Sequence, residues 1–283
     1  MKYRISSRIV RAGVVVLGSA LVIALPRASL PATRAAAGMP PVDVSALYKI
    51  TLNGFEIGSL RFTSSVTPST YTLDSDVELS ALLGAFHWRG VSRTAGTIAG
   101  AAPRPAGFLF EFESTTRSGS VRLGFDRDRV ASVSVLPPSV ADDGLIPVTE
   151  QHMKGVLDPL TAILALTHGD GNPCARKVSI FDGKQRFDLV LSYNRQTPIG
   201  EGQAEMATVC RVKYVPIAGF SASEETRAMA SSTGIEITFR SVPNASLMVP
   251  HQVVVPTIVG PAEITALRVD IKASGRGEIA LVN

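Results

Sequence analysis

The histidines are the side chains with the widest chemical range, and the chain has only four of them. His152 precedes Asp158 by six residues. His168 precedes Asp170 by two. Either pair has the residue types of a general base with its orienting acid, or of two ligands to a metal ion. A metal site needs three or four ligands at recognisable spacing, which the sequence does not offer, and a capping or surface role is the alternative. The sequence therefore predicts no metal, no cofactor and no catalytic histidine.

Two serine-containing segments have the small residues that surround catalytic nucleophiles. Residues 219–223 lack the second glycine of a nucleophile elbow, and residues 117–120 have the composition of a turn. Gly275 and Gly277 form a lone glycine pair, which is typical of a turn and not of a phosphate-binding loop. The sequence thus predicts a protein that is not an enzyme.

The first 37 residues have the three-part layout of a secretory signal peptide. Basic residues from Lys2 to Arg11 precede an apolar stretch of 14 residues at 12–25, and the small residues 35–37 provide a cleavage site before Gly38. A helix needs about 20 residues to span a bilayer core, so an uncleaved anchor is the lesser alternative. We expect cleavage after residue 37 and no transmembrane anchor in the mature chain.

Two further features narrow the export route. No cysteine follows the apolar stretch directly, which excludes lipid attachment of the bacterial lipoprotein type. Arg8 and Arg11 are separated by two residues, so the chain lacks the adjacent arginine pair of the twin-arginine route. The sequence predicts a Sec-type signal peptide and a periplasmic protein.

Removal of the predicted signal changes the charge of the chain. Six of the 28 basic residues and none of the 24 acidic residues lie in residues 1–37, so residues 38–283 carry 22 basic and 24 acidic side chains, a formal charge of −2. The basic isoelectric point of the precursor therefore does not describe the mature protein, and we expect no nucleic-acid partner.

The two cysteines, Cys174 and Cys210, are an even pair in a chain that is predicted to be exported. The simplest interpretation is one structural disulfide, because the periplasm favours oxidation. A metal or redox site is the alternative, but neither cysteine belongs to a CxxC motif and no histidine lies near Cys210.

Alternation of apolar and polar residues with a period of two dominates the mature chain and predicts half-buried strands. Asn53-Gly54 predicts a type I′ hairpin turn, and the change of apolar parity after Gly58 predicts a β-bulge. Further hairpins are predicted within residues 108–125 and around Asp182-Gly183. Roughly a dozen strands favour a mainly β fold, a curved antiparallel sheet that curls into an open or spiral barrel and wraps one or two helices.

One helix is predicted near residues 150–168. Asp158 is placed as its N-cap and Pro159 as its first residue, and Gly169 ends it. An earlier helical turn within residues 149–156 is expected to join it. The domain prediction is a cleaved signal peptide at 1–37, an N-terminal tether at 38–44 and a single β-rich domain at 45–283.

Four short segments resemble a known family. They are Y-K-I-T-L-N-G-F-E-I-G at 48–58, F-E-S-T-T at 112–116, D-P-L-T at 158–161, and F-D-G at 181–183 followed by Arg186-Phe187. Over about residues 45–215 the chain resembles the DUF3108 family of uncharacterised bacterial periplasmic proteins. The resemblance implies an exported envelope protein with a fold similar to the open barrels of lipoprotein-carrier proteins, and it transfers no catalytic residue.

Binding residues are predicted on the inner face of the sheet and on the helix that closes it. An apolar cavity for an acyl chain would be lined by Phe108, Phe110, Phe112, Phe125, Leu164 and Phe187. The alternative is that these side chains simply fill the core, as is usual in small barrels. A run of basic residues from Arg176 to Arg195 could face an anionic group, although such runs are more often solvated.

Three classes of function remain open from the sequence. The first is a periplasmic protein that binds or carries a lipid-like or envelope component, and it predicts a hydrophobic ligand. The second is a structural or interaction protein for cell-envelope integrity, with an envelope protein as partner and no small ligand. The third is an enzyme, a hydrolase of an envelope component, for which no constellation of catalytic residues is present.

Overall fold

We describe the protein from a computed structural model. It describes residues 42–81, 84–100, 102–138, 144–168, 172–200, 202, 205–221, 223–242, 247–273 and 277–282. Several sequence predictions lie wholly or partly outside these residues: the signal peptide, the first part of the tether, Gly169, Asp170 and Gly275.

The described chain is mainly β, as predicted, and its strands alternate between buried and exposed positions. The strands are β1 Val42–Leu52, β2 Phe55–Val66, β3 Thr70–Ala81, β4 Phe86–Ala99, β5 Ala102–Ser114, β6 Ser118–Asp126, β7 Arg129–Leu136, β8 Lys177–Phe181, β9 Arg186–Ile199, β10 Glu205–Ala218, β11 Glu236–Val242, β12 Leu247–Thr257, β13 Gly260–Ala273 and β14 Gly277–Val282.

All strands in the described part of the chain belong to one antiparallel sheet of 14 strands. Its order is β7-β6-β5-β4-β3-β2-β1-β13-β12-β11-β10-β9-β8, and β14 pairs with β13 beside this path. Strand β13 pairs with β1 from Ala262 to Ala273, whereas on its other edge its first half pairs with β12 and its second half with β14. Most neighbours in the sheet are hairpin partners, and the pairing of β1 with β13 joins the two halves of the sequence.

The first hairpin has the local features that its sequence predicts. Asn53 and Gly54 both have positive φ, 49° and 83°, which a type I′ turn requires. The register shifts between Ile50, which pairs with Gly58, and Thr51, which pairs with Glu56, so one residue of β2 is bulged. The predicted bulge near Gly58 is confirmed.

The helices are short. Helix α1 spans Pro159–Thr167 with Asp158 as N-cap, and α2 spans Glu224–Ser231 with Ser223 as N-cap. A separate 3-10 helix covers Glu150–Met153, so the earlier helical turn exists but does not join α1. No helix in the described residues is both long and apolar enough to cross a membrane.

The buried side chains form three clusters. The first lies on β2, β3, β5, β6, β7 and the end of β8, with Leu160 and Leu164 of α1. The second lies on β8–β11 with Ala162 and Leu166 of α1. The third lies on β1, β12, β13 and the end of β11, and among the described residues it includes no residue of α1. The helix therefore packs against the first two clusters, and apart from its contacts with β12 it faces the third across a space.

The sheet is not closed by a pairing between its terminal strands, β7 and β8. Instead, residues 154–157 bond to both of them. The backbone of Gly155 donates to Asp128 just before β7 (2.7 Å), and Lys154 forms a bridge with Arg129. Three residues further on, Leu157 forms a parallel bridge with Ile180 of β8.

Strand β1 begins at Val42, three residues before the predicted start of the domain at Ser45. Residues 42–44 of the segment assigned to a tether are paired with β2 and β13. The predicted disulfide is present: Cys174 and Cys210 are bonded, with 5.1 Å between their Cα atoms. It ties the segment after α1 to β10.

Candidate ligand cavity

An apolar cavity of about 190 Å³ lies between α1 and the strands at the middle of the sheet order. Its walls come from β1, β2, α1, β11, β12 and β13. The lining residues are Val44, Ala46, Tyr48, Leu60, Phe62, Ser64, Ile163, Leu164, Leu166, Thr167, His168, Ile237, Phe239, Leu247, Met248, Val249, Pro250, Val253 and Ile264. The cavity occupies the space between the helix and the third apolar cluster.

The walls follow from strand alternation. Val44, Ala46 and Tyr48 are alternate residues of β1, so their side chains share one face of the sheet. Phe62 pairs with Ala46 and Leu60 pairs with Tyr48, which continues the same face onto β2. Small side chains at Ala46 and Ser64 leave room between the sheet and the helix.

The lining contains no charged side chain at neutral pH among the described residues. Burial lowers the pKa of His168 to about 4, and the neighbouring positive charge of Arg176 acts in the same direction, so the imidazole is neutral. Burial also raises the pKa of Tyr48, whose hydroxyl donates to the Pro250 carbonyl oxygen at 3.1 Å. Because the Tyr48 hydroxyl already donates to Pro250 and no charged side chain lines the cavity, the cavity suits hydrocarbon better than a charged ligand.

The first turn of α1 is fixed by a buried polar network. The fully buried Asp158 carboxylate accepts hydrogen bonds from the Thr161 backbone N–H (2.9 Å) and the Thr161 hydroxyl (2.6 Å). It also accepts from the hydroxyl of Thr94 on β4 (3.0 Å), and the hydroxyl of Tyr71 on β3 contacts that of Thr161 at 2.9 Å. The network joins the helix to two strands of the sheet.

The last turn of α1 is held by Arg176. Its guanidinium donates to the carbonyl oxygens of Ala165 and His168, both at 2.8 Å. These carbonyls have no partner within the helix, and a cation there also opposes the negative end of the helix dipole. Cys174, two residues before Arg176, is held to β10 by the disulfide. Because both ends of α1 are anchored, the helix forms a fixed wall of the cavity.

Comparison with known proteins assigns the family. The family described as "Protein of unknown function (DUF3108)" matches residues 47–266, which include part of β1, all of β2 to β12, both helices and all but two residues of the cavity lining. The chain belongs to the DUF3108 family. No curated protein and no solved structure matches this DUF3108 chain. The family match extends well past residue 215, where the resemblance in the sequence ended.

The predicted lining residues of this DUF3108 chain are placed in different regions. Leu164 lines the cavity. Phe108 is buried in the first cluster, where Phe110 and Phe125 pack beside it, and Phe187 packs against the second cluster. Phe112 stacks on Phe110 with ring centroids 5.8 Å apart. Four of the five phenylalanines predicted to line a cavity therefore lie on β5 and β6, away from the cavity walls.

The histidines singled out for chemistry are also separated. His168 lines the cavity, and its Nδ1 lies 3.3 Å from the Thr167 hydroxyl. His152 accepts a hydrogen bond from the Thr149 backbone N–H at the start of the 3-10 helix. Within the described ranges, no group of three or more His, Cys, Asp or Glu side chains is arranged to hold a metal ion.

The basic run from Arg176 to Arg195 is mostly engaged in ion pairs. Arg186 and Lys177 both contact the buried Asp188 carboxylate, at 2.6 and 2.8 Å. Arg195 pairs with Glu236 at 2.8 Å. The Lys177–Asp188 pair joins β8 to β9, and the Arg195–Glu236 pair joins β9 to the start of β11.

Sequence reasoning missed most of the cavity, in particular the walls on β1, β2, β12 and β13. The alternation of β1 and β13 was visible in the sequence, and it marked one face of each strand as buried. Nothing local indicated that β1 and β13, separated by more than 200 residues, are neighbours. Without that pairing, the apolar faces could be recognised but not placed around one cavity.

Proposed function

We propose that this DUF3108 protein binds or carries a lipid-like molecule in the periplasm. The observation that carries the proposal is the uncharged cavity between α1 and the third apolar cluster. Ligand sites are typically concave and mostly apolar, with a few polar groups that orient the ligand. Here the polar groups are the Tyr48, Ser64 and Thr167 hydroxyls and the neutral His168 imidazole.

The size of the cavity limits the ligand. An engineered cavity of about 150 Å³ takes up benzene, whereas pockets that bury a drug-sized ligand have about 300 to 1,000 Å³. A volume of about 190 Å³ therefore accommodates one segment of hydrocarbon. The occupant in this proposal is an acyl or isoprenoid chain that enters in part, with its polar group outside.

The proposal includes an open-barrel form of the sheet, curled around α1. Residues 154–157 support it, because they bond to the strands at both ends of the sheet order and can extend over at most about 14 Å. Helix α1 also contacts β3, β4 and β5 from one half of the sheet and β8 and β12 from the other. A flat sheet of 14 strands would keep these elements far apart.

The location in this proposal rests on the signal-peptide pattern of residues 1–37, and the protein is assigned no catalytic activity. A soluble carrier in the periplasm must shield hydrocarbon from water between membranes, which an internal cavity achieves.

Native mass spectrometry tests the proposal most directly. The protein is produced from the full-length chain, purified from the periplasmic fraction without detergent, and then extracted with organic solvent. We expect a mass excess that extraction removes and that is identified as a lipid. A bare mass, together with no uptake of a fluorescent fatty acid, would refute the proposal and favour an interaction role in the envelope.

A variant that fills the cavity sharpens this test. Ala46 lines the cavity on β1, so the ring in Ala46→Phe would occupy the ligand volume. Ala95→Leu is the matched control, because it adds hydrocarbon at an exposed strand position. We expect Ala46→Phe to lose the bound mass while keeping the far-ultraviolet circular dichroism spectrum of the wild type, and Ala95→Leu to retain both.

A further inference from the structure

Two hairpin turns lie side by side at one end of the sheet. The β1–β2 turn contains Asn53 and Gly54, and the β12–β13 turn contains Ile258 and Val259. They are joined because the Asn53 backbone N–H donates to the carbonyl oxygen of Pro261 at 2.8 Å. The two turns therefore form one tip, which we call the hairpin tip: residues 53–55 and 256–261.

The hairpin tip exposes large apolar side chains. Ile258 is 88% exposed, Phe55 74% and Val259 60%, and Ile258 and Phe55 are the two most exposed large apolar residues in the described chain. A single exposed apolar side chain is ordinary, but three on adjoining turns form a patch that marks an interaction site.

The charge pattern of the tip distinguishes among partners. No charged residue occurs from Val253 to Ala262, a run of ten residues. The nearest charges on the two hairpins are both carboxylates, Glu56 and Glu263, and both pair with Thr51. An uncharged apolar tip with acidic side chains behind it matches a neutral surface and is repelled by an anionic one.

The tip is continuous with the cavity. Val253 and Ile264 line the cavity and pair with each other on the same hairpin that ends in Ile258 and Val259. The pair formed by Thr257 and Gly260 lies four residues further along. At about 3.3 Å per residue, the cavity wall is about 13 Å from the tip.

We propose that the hairpin tip docks on the surface of a phospholipid bilayer with zwitterionic headgroups. A convex tip of three large side chains offers far less area than the about 800 Å² per partner of a stable protein interface. Amphipathic elements that lie in the membrane interface bury their apolar side chains about 5 to 10 Å deep, a depth that this tip can reach. Docking there would bring the cavity within about 13 Å of the lipid from which a ligand enters.

Vesicle flotation tests this inference on the exported protein, produced from the full-length chain. One set of vesicles contains phosphatidylcholine and phosphatidylethanolamine, and the other contains phosphatidylglycerol in addition. We expect binding to the neutral vesicles that high salt does not weaken, and equal or weaker binding to the anionic ones. Binding that requires phosphatidylglycerol and disappears in salt would overturn the inference.

Substitutions at the tip locate the contact. Each large apolar side chain contributes enough transfer free energy that Ile258→Ser should reduce partitioning at least about tenfold, and Phe55→Ser likewise. Met206→Ser is the matched control, because Met206 is 59% exposed on β10 and lies outside the tip. All three positions are on the surface, so the variants should fold, which circular dichroism checks.

The remaining outcomes also decide the question. Tip variants that float like the wild type would refute the inference. Tip variants that instead convert a dimer to a monomer in light scattering would assign the patch to a second copy of the chain. The inference does not rest on the proposed ligand, because Ala46→Phe should abolish the bound mass and leave vesicle binding unchanged.

Discussion

Replacement of Asp158 tests how α1 is anchored to the sheet. Its carboxylate is fully buried, yet among the described residues no positively charged side chain donates to it, and the contacts come from Thr161 and Thr94. Burial raises the pKa of Asp158 and outweighs the hydrogen bonds from Thr161 and Thr94, which act in the opposite direction. The folded protein therefore favours the protonated, neutral side chain more than the unfolded chain does.

Two substitutions separate capping from charge. Asp158→Ala removes the N-cap and leaves the Thr161 N–H without a partner in the protein interior, which should lower the free energy of unfolding by about 2 kcal/mol. Asn is as good an N-cap as Asp and carries no charge, and its amide can donate to the Thr161 hydroxyl. Asp158→Asn should therefore be at least as stable as the wild type at neutral pH.

The pH dependence gives the sign of the charge effect. Because the folded pKa of Asp158 lies above the unfolded one, the contribution of this group to stability is full below the unfolded pKa. It is lost as the pH rises through the folded pKa. The stability difference between Asp158→Asn and the wild type should therefore be small at about pH 4 and grow in favour of the variant towards about pH 8.

Urea unfolding of the three proteins measures these differences. Trp88, the only tryptophan, reports by fluorescence, and circular dichroism reports on the sheet. Glu56→Gln, at an exposed strand position, is the control for loss of a carboxylate. The reasoning fails if Asp158→Asn is as unstable as Asp158→Ala at neutral pH, or if its difference from the wild type does not change with pH.

Two further substitutions test other contacts by the same unfolding assay. Asp188→Asn should cost about 3 kcal/mol at neutral pH because it leaves Arg186 buried without its ion pair. Burial alone would raise the pKa of Asp188, but hydrogen bonds from its neighbours outweigh burial and lower the pKa. The stabilisation by the Asp188 carboxylate is therefore present above the unfolded pKa and is lost as the pH falls through the folded pKa. Equal stability of Asp188→Asn and the wild type at neutral pH would contradict this prediction. Gly183→Ala combines a φ of +100° with a clash against Val121 on β6, so it should be less stable than Gly277→Ala by about 1 to 3 kcal/mol. Gly277 has a φ of +75° and open space around it, and equal losses at both glycines would show that the β8–β9 turn does not press on β6.

Much of the local structure was predictable because it depends on neighbouring residues. Asn53-Gly54 forms its turn since both residues tolerate positive φ, and Asp158 caps α1 since its side chain reaches the N–H of Thr161. The disulfide followed from the number of cysteines and the predicted compartment. Each of these predictions needed only the residues themselves and the preferences of their side chains.

The candidate site was much less predictable. Phe108, Phe110 and Phe112 share a face of β5 as their alternation indicates, but that face packs into the first cluster and not onto the cavity. Apolar side chains carry no information about which apolar surface they will meet, because the hydrophobic effect is not directional.

The sequence by itself determined three of the hairpins, the alternation of buried and exposed faces along the predicted strands, where α1 begins and which family the chain belongs to. Only the tertiary structure decided that β1 pairs with β13, that residues 154–157 bond to both β7 and β8, and that the space beside α1 stays open. These outcomes depend on contacts between residues far apart in the chain. They are selected by the packing of the whole sheet and not by the conformational preference of any one segment.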